Sequence, residues 1–108
     1  MDPKLKKRLL KIDEQLQKLY EAEEKYLTLE AVKEHILAVM MSEAGDLSEA
    51  AKKTIAMSRA DYKTFKESLA VAEAMFHREK HKYELVLKAF DAAYLSLKLE
   101  VPAINRQQ

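Results

Sequence analysis

The sequence predicts an all-α protein: a long antiparallel helical hairpin with a short intervening helix, completed as a helical bundle by dimerisation. Three observations lead there. The 108 residues include one glycine and two prolines, too few for a sheet protein, which needs turn residues roughly every 8–12 positions. Apolar residues between Tyr62 and Leu97 recur in unbroken steps of three and four, as in a coiled-coil helix. Hydrophobic residues make up 48% of the chain and charged residues 34%, which describes a folded protein with a heavily charged surface. A chain of this length forms a single helical domain, 1–108, with helices expected over 3–43, 47–57 and 59–100 and a tail over 101–108.

The first helix starts at Pro3. Asp2 is a favoured N-cap, and proline fits the first helical position because its missing N–H has no partner there anyway. Leu5, Leu9, Ile12, Leu16 and Leu19 follow in alternating steps. Glu23 then falls where an apolar residue is due, and the stripe is expected to slip and resume through Ala22, Tyr26, Leu29, Val32, Ile36 and Val39. Gly45 is the natural chain reversal, since a helix end favours a residue tolerant of positive φ. Asp46 with Glu49 three residues on suits a capping box for the middle helix, and Ser58 with Asp61 suits a second, with a bend between. The last helix carries the seam Tyr62, Phe65, Leu69, Ala72, Phe76, Glu79, Tyr83, Val86, Phe90, Ala93 and Leu97. Pro102 disfavours helix at the residue before it, so this helix should end near Glu100.

Burial is the difficulty with an isolated hairpin, which covers one stripe per helix. Leu10, Tyr20, Leu27, Leu37, Met40, Met41, Met75, Leu87, Tyr94 and Leu95 lie outside or beside the seams. Left in water they form a large apolar patch. The middle helix covers part of it, and a second copy covering the rest makes a homodimer.

Residue types narrow the chemistry. No cysteine is present, which excludes thiolate metal sites, disulfides and a cysteine nucleophile, and fits a reducing cytoplasm. A lone glycine builds no phosphate loop, and no serine sits in a nucleophile elbow. The protein is therefore expected to be no enzyme and to need no cofactor. His77 and His81 stand at i and i+4, a spacing that can hold a metal with a third ligand such as His35 or Glu79, but Arg78 occupies the place where a metalloprotease has glutamate. On a helix this charged the pair also reads as ordinary solvated surface. Glu79 in the seam reads as a polar register device or as a functional carboxylate in a bundle interior; the glutamate-x-x-histidine step of di-iron bundles is absent.

The net charge is +1, so charge has to be argued locally. Lys4, Lys6, Lys7, Arg8 and Lys11 form a basic cluster against Asp2, while residues 13–34 are acidic. Pairing between such blocks is the simpler reading, and binding a nucleic-acid backbone through the amino-terminal cluster is the sharper one. An anionic membrane would also attract the cluster, but the opposite face lacks aromatic anchors, and no apolar run of spanning length exists. The charged amino terminus lacks the apolar core of a secretory signal.

The second half resembles a group of small phage and prophage helical accessory proteins. The resemblance rests on Gly45-Asp46-Leu47-Ser48, Ala56-Met57-Ser58, Asp61-Tyr62, Phe65, Leu69, Ala72-Glu73 and Ala103-Ile104-Asn105-Arg106. Leu99-Glu100 stands near the place where members often carry an Arg-Thr pair. The resemblance implies an accessory role beside DNA recombination, replication or defence proteins in a bacterial cytoplasm.

Overall fold

The computed structural model describes the backbone of residues 2–107 and the side chains of residues 2–99. Three helices make up the fold: α1 (Pro3–Ser42), α2 (Glu49–Ser58) and α3 (Ala60–Gln107), with no strand among the described residues. Helix α1 packs against α3 as a hairpin. The residues group into two compact units. The first unit joins residues 2–21 of α1 to residues from His77 onward in α3, and the second runs from Ala22 to Phe76.

Asp2 caps α1 as its sequence suggests. Its Oδ1 accepts from the amides of Lys4 at 2.7 Å and Leu5 at 3.4 Å, satisfying two otherwise unpartnered donors. At the other end, the Ala44 amide donates to the Met41 carbonyl at 3.1 Å, and Gly45 reverses the chain at φ 90°. A Cβ at Gly45 would meet nothing within 4 Å, so substitution there is purely a matter of backbone conformation. Gly45→Ala is expected to destabilise the fold by about 1 kcal/mol. Urea unfolding measures this, and an unchanged midpoint would contradict the assignment of the turn.

The caps of the next two helices differ from the sequence reading. Helix α2 is capped by Ser48 rather than Asp46: Ser48 is extended at ψ 156° and its Oγ accepts from the Ala51 amide at 3.2 Å. The Leu47 amide donates to the Gly45 carbonyl at 3.1 Å, which keeps the chain in the turn past Asp46. The bend expected near Ser58 falls at Arg59, whose ψ of 142° interrupts the helix. Ser58 does not cap α3, because its hydroxyl donates back to the Ile55 carbonyl at 2.9 Å. The bend is tied by Arg59 instead. Its guanidinium donates to both oxygens of Asp61, at 3.0 and 2.7 Å, and to Glu43 at the end of α1, at 2.6 Å. The bidentate bond holds the Asp61 carboxyl below its ordinary value, with Glu43 helping Asp61 to hold the guanidinium charged.

A third difference lies at the end of the chain. Helix α3 does not stop near Glu100 but continues to Gln107, where a tail was expected; Gln108 lies outside the described residues. Pro102 has no N–H to return to the carbonyl four residues back, so the helix passes it with at least one backbone hydrogen bond fewer.

The stripe of α1 also departs from expectation. Val32 and Val39, placed in the resumed seam, are exposed, whereas Lys33 is half-buried and Met40 is buried. Ala22, Tyr26, Leu29 and Ile36 of the resumed stripe are half-buried, and so are Glu23, Lys33 and Leu37 beside it. Polar residues are tolerated there because the edge of a two-helix seam stays wet. Lys33 lays its stem on the seam and sends its ammonium to Glu30, 3.4 Å away.

The second unit holds the main apolar core. Met40, Ala56 and Tyr62 are buried together, one from each helix, with Ile36, Leu37 and Met41 packed against them. Ala56 is fully buried, so α2 approaches closely through its smallest side chain. Further along the same unit, Tyr26 stacks on Phe76 with ring centroids 5.7 Å apart and planes 18° apart. Burial, reinforced by the nearby Glu73 and Glu30 carboxylates, pushes the Tyr26 phenol up from its usual value.

Candidate interaction surface

All eleven seam positions of α3 from Tyr62 to Leu97 are buried or half-buried. Glu79 is the polar one, and its side chain is only 15% exposed. Its partner was not legible in the sequence. Gln15, one residue before the apolar Leu16, donates from Nε2 to the Glu79 carboxylate at 2.5 Å and to the Glu79 carbonyl at 3.3 Å. Lys82, one turn on, lies 3.6 Å away. The Gln15 hydrogen bond, outweighing partial burial and helped by Lys82 and Lys18, holds the Glu79 carboxyl below its ordinary value of 4.5. Across the hairpin Glu79 thus meets an amide, where a register device was expected to meet a lysine or arginine of the facing helix.

A lowered folded-state pKa fixes the sign of the pH response. The stabilisation is complete above pH 4.5 and is lost as pH falls through the lower folded-state value. Glu79→Gln removes the titrating group. The stability gap between wild type and this variant is expected to narrow as pH drops below 4.5. Urea titrations at several pH values measure the gap, and a gap independent of pH would contradict this account.

The histidine pair acquires no third ligand. His77 and His81 are exposed, and no cluster of three His, Cys, Asp or Glu side chains able to hold a metal occurs among the described residues. His35 lies in the second unit, lining a cavity with Glu43 and Arg59, and Glu79 is engaged by Gln15.

The basic cluster is divided by helix geometry. All five side chains are exposed. Lys4, Arg8 and Lys11, spaced four and three apart, line two open cavities of about 520 and 200 Å³ that share Arg8. Lys7 sits beside them outside these cavities, and at 100° per residue Lys6 faces elsewhere.

No family model, no curated protein and no solved structure matches the chain.

The largest unsatisfied feature of the surface is apolar. Among the described residues, fifteen large hydrophobic side chains are exposed, against six buried hydrophobic residues. Those on α3 within the first unit are ordered. Leu85, Leu95 and Leu99 share the side of the helix away from its seam with Ala92 and the charged Lys88, in steps of three, four, three and four, and all five are exposed. Leu85 is 51% exposed, Leu95 58% and Leu99 74%. A second heptad stripe on the outer face of a helix already packed on one side is the pattern of a helix with two neighbours. Beside it, Tyr94 stacks on Phe90 at 6.4 Å and carries the Lys98 ammonium 4.9 Å above its ring. No helix is long and apolar enough to cross a membrane among the described residues.

Proposed function

We propose that this chain is a non-enzymatic helical interaction protein and that the outer stripe of α3, from Leu85 to Leu99, pairs with a second copy of itself. The observation that carries the reading is that ordered, exposed stripe.

The stripe also complements itself. About Ala92, Leu85 and Leu99 lie seven residues to either side, and Ala89 and Leu95 lie three to either side. An antiparallel two-fold pairing sets Leu85 against the partner's Leu99 and the large Leu95 against the partner's small Ala89, with the two Ala92 residues at the axis. Isologous contacts of this kind close on themselves and produce a dimer rather than a filament.

On this reading the protein needs no cofactor and acts through its assembled surface on a protein partner. The likeness of its second half to phage and prophage accessory proteins suggests the setting, a DNA-processing or defence complex in the bacterial cytoplasm. Co-expression of two differently tagged copies tests the pairing. Each tag is expected to recover the other copy, and Leu95→Lys is expected to abolish recovery while Ile55→Lys, on exposed α2 surface, leaves it intact. Failure of wild-type copies to recover one another would overturn the reading.

A further inference from the structure

We propose that the groove along one side of the first unit, between the start of α1 and residues 85–97 of α3, is the seat of an acidic amphipathic helix from a partner protein. This goes beyond self-association. Leu95, the core of the proposed dimer stripe, does not line the groove, although Leu85 and Ala89 border both surfaces.

The two walls differ in chemistry. The α1 wall carries Lys4, Arg8 and Lys11, one cation per helical turn, and none of the three is held in an ion pair among the described residues. The single carboxylate at the groove, Asp2, has its Oδ1 committed to the Lys4 and Leu5 amides. The α3 wall presents Leu85, Ala89, Ala93 and Leu97, with Ser96 as its polar group. A ridge of side chains seats well where small residues let it approach. Three cations at i, i+4 and i+7 are matched by carboxylates at the same spacing on a helix, and the apolar residues beside those carboxylates meet the leucine and alanine wall.

A nucleic acid fits the groove less well. Single-strand sites combine cations with aromatic stacking platforms, and no aromatic side chain lines either cavity. A duplex is too wide to enter and would leave the apolar wall uncovered. Only three of the five clustered cations share this groove, where a backbone-binding patch would use them together.

The test uses the full-length protein and a labelled, self-helical peptide bearing glutamate at i, i+4 and i+7 with leucine and alanine on the adjoining stripe. Fluorescence anisotropy at low salt reads its binding. The Arg8→Glu/Lys11→Glu double variant is expected to weaken binding by at least about tenfold. Lys6→Glu/Lys53→Glu, with the same change in net charge, is expected to leave it nearly unchanged. All four substituted positions are exposed, so the variants keep the fold. The proposal is overturned by absence of peptide binding, by equal loss in the two double variants, by equal binding of a lysine-for-glutamate twin peptide, or by binding of duplex DNA in place of the peptide. It is also overturned if Arg8→Glu/Lys11→Glu dissociates a wild-type dimer, which would make a second copy the occupant. The Leu95→Lys variant reports on the dimer separately, so the two readings fail independently.

Discussion

Leu69→Ala is expected to lower the unfolding free energy by about 2–3 kcal/mol, toward the lower end of the range for removing a buried leucine side chain. Leu69 is 5% exposed and lies one helical turn before Ala72, which is 2% exposed, on the covered side of α3. Truncation there removes transfer energy and leaves a cavity that two continuous helices close only in part. The loss falls toward the lower end because a hairpin seam is shallow and its rim can relax. Two residues on, Val71 is 59% exposed. Val71→Ala should change stability by less than about 0.5 kcal/mol, since alanine has the better helix propensity and little packing is lost. Urea unfolding at one fixed protein concentration compares the two variants. Equal losses would mean that the seam does not run through Leu69.

That contrast rests on a pattern legible in residue spacing alone. The steps from Tyr62 to Leu97 single out the covered side of α3 because one heptad rule, interrupted only at Glu79, holds along its length. The spacing of α1 is harder to read. Glu23 and Lys33 are half-buried among the seam residues, and hydrophobicity alone draws the stripe toward Val32 and Val39, which face water. The deciding terms, a lysine stem lying on the seam and a wet edge, depend on packing and not on residue type. The caps escape residue type for a related reason. Asp46 and Ser48 are both good N-caps, and the Leu47-to-Gly45 hydrogen bond that selects Ser48 exists only once the turn has formed. Gln15 is invisible in the sequence because nothing in α1 marks which amide will meet Glu79. The basic cluster is evident as a run of charges, but its division into three residues on a groove and two elsewhere requires both helices.

Leu95→Lys is expected to weaken self-association by on the order of a hundredfold. Full burial of a leucine side chain is worth about 1.5–3 kcal/mol, and somewhat over half of Leu95 is open to water before pairing. A two-fold interface contains the substitution twice, so the loss is roughly 2–3.5 kcal/mol, or about two orders of magnitude in Kd. The lysine ammonium, set against the partner's Ala89, adds a desolvation cost to the loss. The fold itself should be untouched, because Leu95 faces away from the hairpin seam: circular dichroism of the monomeric variant is expected to retain its helical content. A variant that loses helix and association together would place Leu95 in the core and contradict the outer-stripe assignment.

In the proposed dimer a second copy covers the outer stripe of α3. Sedimentation equilibrium of the wild-type protein over a concentration series reads this pairing. The expected mass is twice 12.5 kDa at high concentration, with dissociation on dilution. A mass of 12.5 kDa at every concentration would contradict it.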